Sequence, residues 1–497
     1  MSGSLNPSSL ARLLGEWNAG AAPAYRELAD VVRLLVLDGR VPLGVALPSE
    51  RSLAATLGIS RTTVTAAYSL LREQGFLSSG QGSRGRTCIP QSGTPGDGQG
   101  AALSGAPGLV VPDGILDLAY ASLPASGEVV HRAFAAALTE LPALLPGFGY
   151  DALGVLPLRD AIARHYSAAG VPTTPQQILV TSGAQHALNI VLRTLAGRAD
   201  KVLVEHPSYP NAIDAIRAAG CRLVPVPMPA AAPSGADPAA RPGWDLAAFE
   251  SALKQRPAMA YVVPDFHNPT GRLMPDSQRR RLVRAAAAAG TVLVVDETLR
   301  ELNLDGMDST PMAAFSPALV SLGSLSKSHW AGLRTGWIRA EESLIQRFAA
   351  ARTTLDLGGP VVEQLAAAHL VNALAEPLPA RLATLRDNRD GLLELLRGHL
   401  PDWETERPDG GLSVWCRLPA PISTALAVVA PDVGIRLAAG PRFGTGGAFE
   451  QYLRVPFTLP LEQLETAVLA LRSAQDRLSA SPQLRRTRSA PPAAAIA

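Results

Sequence analysis

Between residues 178 and 338, seven short apolar runs alternate with stretches whose apolar residues recur at helical spacing. The runs are Ile178 to Thr181, Val202 to Glu205, Arg222 to Val226, Ala260 to Val263, Val292 to Val295, Val320 to Leu322 and Gly336 to Ile338. Strand and helix in alternation predict a mostly parallel, seven-stranded sheet covered by helices on both faces, an α/β fold. Ligands of such sheets bind beyond the carboxyl ends of the strands. Five of these ends lead directly into reactive or phosphate-binding residue types: Ser182-Gly183-Ala184-Gln185, Tyr209, Asn268-Pro269-Thr270-Gly271, Asp296, and Ser324 through Lys327.

The residue types narrow the chemistry. Among 45 basic residues only Lys201, Lys254 and Lys327 are lysines, so a reaction that needs an amine has three candidates. Lys201 and Lys254 flank ordinary elements, whereas Lys327 lies in "SLGSLSKSHWAGLRTGW" among small hydroxyls and glycines. An amine that condenses with an aldehyde cofactor must have its pKa lowered by desolvation or a nearby cation, for which Arg334 is the candidate. A phosphate suits the helix start offered by Ser182, Gly183, Ala184 and Gln185, with Ser324 and Arg334 adding charge-assisted bonds. Asp296 suits a protonated pyridine nitrogen, Tyr209 a stacking partner and Asn268 a ring hydroxyl. Pyridoxal 5'-phosphate meets all these demands. Taken singly, each residue also has an ordinary structural reading as cap, core aromatic or turn, and it is the ordered set that points to the cofactor. His186, His267 and His329 stand beside motif residues without metal-ligand spacing, and no metal is expected.

The first 90 residues read differently. Leu28, Val31, Val32, Leu34 and Leu35 predict one helix, and "LPSERSLAATLGISRTTVTAAYSLLREQGFL" predicts two short helices joined at Gly58-Ile59-Ser60. Leu53, Leu57, Ile59, Val64, Tyr68 and Leu71 would form the apolar seam, leaving Arg61, Thr62 and Thr63 at the exposed start of the second helix, capped by Ser60. In a helix-turn-helix those positions face base edges and phosphates of double-stranded DNA. Arg51 and Arg61 are the candidate phosphate or guanine contacts, and "SSGQGSRGRTCI" suits a glycine-tipped hairpin wing carrying Arg84 and Arg86. Nine arginines stand against six acidic residues in this stretch. A small helical domain with a solvated face remains the bland alternative.

At 497 residues the chain exceeds one ordinary core. The expected organisation is a DNA-binding domain over 1–90, a Gly/Pro/Ser-rich linker over 91–115, the α/β region over 116–478 and a disordered tail over 479–497. Within the α/β region, a large part covers about 150–375 and a smaller α+β part about 376–478. The net charge of +2 says nothing of nucleic acid, so only the local basic patch does. Cys88, Cys221 and Cys416 are isolated, which favours a reducing compartment, and no apolar run is long enough to cross a bilayer. A cytoplasmic location with no membrane partner is expected.

Residues 24 to 90 resemble the winged helix-turn-helix of GntR-family transcriptional regulators. Residues 115 to 478 resemble fold-type I aminotransferases through "TSGAQHAL", "EHPSYPNA", "DFHNPTG", "VVDET", "SLSKSHWAGLRTGW" and "YLRVPFT". That resemblance implies that Lys327 carries the cofactor, that Arg454 binds the carboxylate of an amino acid, and that Gly149-Tyr150 reaches the partner's site. A tyrosine usual two or three residues after the aspartate is replaced by Thr298 and Leu299, a departure that bears on catalytic efficiency. The two regions in this order resemble the MocR subfamily of GntR regulators, which implies a homodimeric transcription factor sensing an amine, an amino acid or the cofactor itself. The alternative is a catalytically active aminotransferase with an accessory amino-terminal domain.

Overall fold

The computed structural model describes residues 5–15, 17–18, 23–37, 41, 45–78, 85–88, 114–229 and 243–480. Most of the expected linker, and the tail from residue 481, lie outside these residues, as does Arg84. The described chain forms two compact units, one from residues up to Leu118 with Ile422–Leu437 and the end from Thr466, the other from Ala119–Pro421 with Ala438–Glu465. The segment expected as the smaller α+β part thus contributes to both.

In the first unit, helices α1 (Pro7–Leu14), α2 (Ala24–Leu37), α3 (Glu50–Leu57) and α4 (Arg61–Glu73) precede a two-stranded antiparallel ribbon, β1 (Leu77–Ser78) with β2 (Arg86–Thr87). Leu10, Leu28, Val32, Leu35, Leu53, Val64, Tyr68 and Leu71 are buried together, while Leu57 and Ile59 pack at the edge of this core. The turn between α3 and α4 follows from its residues. Gly58 adopts the left-handed conformation at φ 67° that ends α3, and the Ser60 hydroxyl accepts from the Thr63 amide at 3.1 Å to start α4. Farther along, β3 (Leu116–Asp117) pairs in parallel with Ile435–Arg436, and Asp117 makes a two-pronged ion pair with Arg436.

In the second unit all seven expected runs are strands of one sheet: β4 (Ile178–Thr181), β5 (Lys201–His206), β6 (Arg222–Pro227), β7 (Met259–Val262), β8 (Val292–Asp296), β9 (Val320–Ser324) and β10 (Gly336–Arg339). Their order is β4-β10-β9-β8-β7-β5-β6, and β10 alone runs antiparallel to its neighbours. Side chains alternate between the two faces of the sheet, and Ile178, Val180 and Trp337 join a further core cluster. Leu179, Val202, Val204, Tyr261, Val294, Leu322 and Ile338 meet helices Ala184–Leu195, Pro210–Ala218 and Glu342–Arg352. Leu203, Ala260, Val262, Leu293 and Val295 meet Leu246–Leu253 and Asp276–Ala289 on the other face. A four-stranded antiparallel sheet, ordered Glu404–Thr405, Ser413–Arg417, Tyr452–Pro456 and Ala438–Ala439, completes this unit.

Candidate functional site

The sheet register assembles the rim. Gly336 opposes Thr181 on one side and Ser324 on the other. The turn after β4, the loop after β9 and the approach to β10 therefore leave the sheet side by side, bringing Ser182 to Gln185, Ser324 to Lys327 and Arg334 to one place. Gly183 has φ 84°, and helix Ala184–Leu195 starts beyond it with no side-chain cap among the described residues, a helix start of the kind that suits an anion. The two backbones touch here: a Cβ on Gly336 would stand 2.6 Å from the Gly183 carbonyl carbon and 2.8 Å from the Ala184 nitrogen. Arg334, itself left-handed at φ 47°, donates to the Ser182 carbonyl at 3.2 Å. The Ser324 hydroxyl donates to the Thr335 carbonyl at 3.0 Å and lies 2.8 Å from that of Ser326.

Asp296 ends β8. One carboxylate oxygen accepts from the Thr298 amide at 2.9 Å and the other from the Tyr261 phenol at 2.5 Å. The Lys327 amine donates to the Ala121 carbonyl at 2.6 Å. Burial, and then the guanidinium of Arg454, lower its pKa to about 8 against the opposing pull of Asp296. The cation acting on Lys327 is thus Arg454 rather than the expected Arg334, whose left-handed turn directs it to the Ser182 loop. Arg454 also donates to the Ala119 carbonyl, and its guanidinium carbon stands 5.0 Å from the centroid of the Phe443 ring.

Tyr209 caps helix Pro210–Ala218, and its phenol accepts from the Asn211 amide at 2.9 Å. Burial and Asp296 raise its pKa, while the Asn211 bond, Arg454 and Arg334 lower it, which locates Tyr209 among the same charges. Gln185 reaches the Asn211 carbonyl at 3.0 Å. The side-chain oxygens of Gln185 and Asn268 are buried without a hydrogen-bond partner among the described residues, a costly arrangement unless a ligand supplies one.

Three histidines border the rim. His186 accepts from the Ser182 amide at 3.1 Å, and the buried His267 lies 3.0 Å from the Thr270 hydroxyl and 3.3 Å from the Glu205 carboxylate. Burial lowers the His329 pKa to about 4, with help from Arg381, so that ring stays neutral.

Tyr261, Ala119 and Ala121 were absent from the residues expected here. Period-two alternation in β7 was the available signal for Tyr261, since it shares a face with Val263; backbone carbonyls leave no trace in a side-chain pattern.

In the other unit Arg51, Arg61 and Thr62 are exposed, and Thr63 is half-buried against the cap. The Ser60 hydroxyl lies 2.7 Å from that of Thr62 and 2.8 Å from that of Thr63. Glu50 accepts from the Thr65 hydroxyl at 2.8 Å and stands 3.9 Å from both Arg61 and Arg72. The start of α4 is therefore a capped, hydroxyl-rich and basic edge.

Comparison with known proteins agrees with both halves. Residues 149–471 match the family described as aminotransferase class I and II, and residues 24–85 match the bacterial regulatory proteins of the gntR family. The chain is 30% identical to the HTH-type pyridoxine biosynthesis transcriptional regulator PdxR of Corynebacterium glutamicum, with 78% of this chain and 81% of that one covered. It is 28% identical to the probable rhizopine catabolism regulatory protein MocR of Rhizobium meliloti, covering 80% and 82% respectively. A solved structure of LysN, an α-aminoadipate aminotransferase from Thermus thermophilus complexed with N-(5'-phosphopyridoxyl)-L-leucine, matches with a TM-score of 0.66 at 30% identity, covering 74% of this chain and 94% of that one. The cofactor of this fold is pyridoxal 5'-phosphate, and the chain belongs to the class I and II aminotransferase family, in the branch where a gntR-type DNA-binding domain makes such a chain a transcriptional regulator of the MocR and PdxR kind.

Proposed function

We propose that this regulator holds pyridoxal phosphate on Lys327 and uses it to read an amino compound, changing its hold on operator DNA in response. The observation that carries the reading is the convergence of Asp296 and Arg454 within electrostatic reach of the buried Lys327, in the same chain as a capped recognition helix. The orphaned oxygens of Asn268 and Gln185 and the tight Gly183 turn fit the cofactor. When bound, pyridoxal phosphate supplies an aldehyde that condenses with amines and a ring that draws electrons from the attached carbon.

Each residue has its part. The start of helix Ala184–Leu195, Ser324 and Arg334 hold the phosphate. Asp296 would keep the ring nitrogen protonated, Tyr209 would supply an aromatic face to the ring and Asn268 an amide for its hydroxyl. Lys327, with its lowered pKa, has a larger share of its amine unprotonated near neutrality than an ordinary lysine, and Arg454 takes the effector's carboxylate. Arg51, Arg61, Thr62, Thr63 and Arg84 meet DNA, and a second copy of the chain completes a homodimer in the cytoplasm.

Transamination is the second reading, favoured by the retention of Lys327, Asp296, Asn268 and Arg454 together. Against it, the two positions after Asp296 that would carry a phenol hold Thr298 and a buried Leu299. Steady multiple turnover with an amino donor and a keto acid supports the enzyme; a half-reaction that stalls supports the sensor.

The deciding experiment is fluorescence anisotropy of the cofactor-loaded protein on DNA upstream of its own gene and its neighbour, against a nonspecific duplex at the same salt. Specific binding that changes with added amine or pyridoxal phosphate is expected. Binding no better than the control in every cofactor state would leave an aminotransferase with an accessory domain.

A further inference from the structure

We propose that Tyr261 is a positioning residue for the cofactor, fixing the Asp296 carboxylate in the one orientation from which it meets the ring nitrogen. The inference rests on the pyridoxal phosphate reading above and adds a residue to it.

The sheet makes the contact inevitable once a tyrosine stands at this position. Tyr261 in β7 opposes Val294 in β8, and Asp296 lies two residues farther along β8 on the same face. A diagonal neighbour at that separation is within reach of an aromatic side chain, and the phenol closes on the carboxylate at 2.5 Å. The other positions on this face of the central strands, Val202, Val204, Met259, Val263, Val294, Val320 and Leu322, are apolar and buried. A phenylalanine would fill the same space without burying a hydroxyl, which is costly unless it is bonded. The hydroxyl of Tyr261, in a residue wholly shielded from solvent, is committed to Asp296.

The bond also has the right polarity. Burial and the adjacent carboxylate push the Tyr261 phenol well above its ordinary pKa, so it remains a donor. With the Thr298 amide on one oxygen and Tyr261 on the other, the plane of the carboxylate is set from both sides. A carboxylate so held presents its remaining lone pairs to a ligand in one direction, with no reorganisation when the ligand arrives. Asp296 held by the amide alone would have its carboxylate plane fixed from one side only, with more freedom to rotate about the Cβ–Cγ bond. Thr298 and Leu299 provide no phenol, and among the described residues it is Tyr261 whose hydroxyl bonds the aspartate.

The test is a double-variant cycle on the full-length protein, reading pyridoxal phosphate affinity from the visible absorbance of the bound cofactor. Tyr261→Phe is expected to weaken binding about tenfold, as for loss of a hydrogen bond to a charged group, and to shift the absorbance maximum, while the apoprotein keeps a cooperative melt. In the Asp296→Asn background the same substitution should cost nothing further, because the carboxylate it orients is gone. Equal affinities and spectra for wild type and Tyr261→Phe would overturn the proposal, as would losses that multiply independently in the double variant, the pattern of a merely structural tyrosine. A wild-type protein that binds no pyridoxal phosphate would remove the cofactor reading and this inference together. Normal wild-type binding with a silent Tyr261→Phe removes this inference alone.

Discussion

Lys327 is where chemistry and environment meet most closely. An ordinary lysine near pH 7 has less than about one part in a thousand of its amine unprotonated, whereas a pKa of about 8 leaves roughly a tenth free to react. Two causes act in the same direction, desolvation and the neighbouring guanidinium of Arg454, against the opposing Asp296. The rate of pyridoxal phosphate uptake by the apoprotein should therefore rise with pH and level off with a midpoint near 8. Arg454→Met removes a charge that disfavours the ammonium form, so its midpoint should move upward. Stopped-flow absorbance across pH measures both, and a wild-type midpoint at the ordinary lysine value would show that the amine is not desolvated. The lysine itself was legible because the chain has only three. Its electrostatic partner was not: Arg334 is seven residues away in sequence, while Arg454 is brought near by the fold, and separation along the chain is no guide to a Coulomb interaction through space.

The seven strands were legible as runs, since burial makes all but the partly exposed edge strand β6 largely apolar, and the structure extends most of them by a residue or two. Their order and sense were not. Nothing in "GWIR" distinguishes an antiparallel strand from its parallel neighbours, yet the reversal of β10 is what brings Gly336 against the Gly183-Ala184 turn. The wing was legible only at its two strands, with its tip outside the described residues. The sense of β10 has a measurable consequence. A methyl group on Gly336 would sit 2.6 Å from a backbone carbon that cannot rotate away, so the turn must move. Overpacking of this kind typically costs about 1–3 kcal/mol, here levied on the loop assigned to the phosphate. Gly336→Ala should weaken pyridoxal phosphate binding by about tenfold or more while leaving DNA affinity of the apoprotein unchanged. Titration of the visible band, with anisotropy in parallel, separates the two; normal cofactor affinity would mean the phosphate is held elsewhere.

The whole chain has a net charge of only +2, so its DNA affinity must come from the local excess of arginine near α4 and from the geometry of that helix. Arg61→Ala should weaken specific DNA binding by about tenfold, as expected for a contact worth roughly 1–3 kcal/mol, with the cofactor spectrum untouched. Lys327→Ala should do the reverse, abolishing the visible band while preserving the fold. These variants show that each activity exists, but a regulator requires that they be coupled. If an amine lowers operator affinity by some factor, linkage demands that operator DNA lower the affinity for that amine by the same factor. An aminotransferase with an accessory DNA-binding domain has no such obligation. Titrating the amine into the cofactor-loaded protein with and without saturating operator DNA, followed by the visible band, measures that factor directly. The expected result is a shift equal to the one seen by anisotropy, with the anisotropy response to the amine lost in Lys327→Ala. A shift in one direction of measurement without the other would mean that the amine is being consumed rather than sensed, because reciprocity holds for binding equilibria and not for turnover.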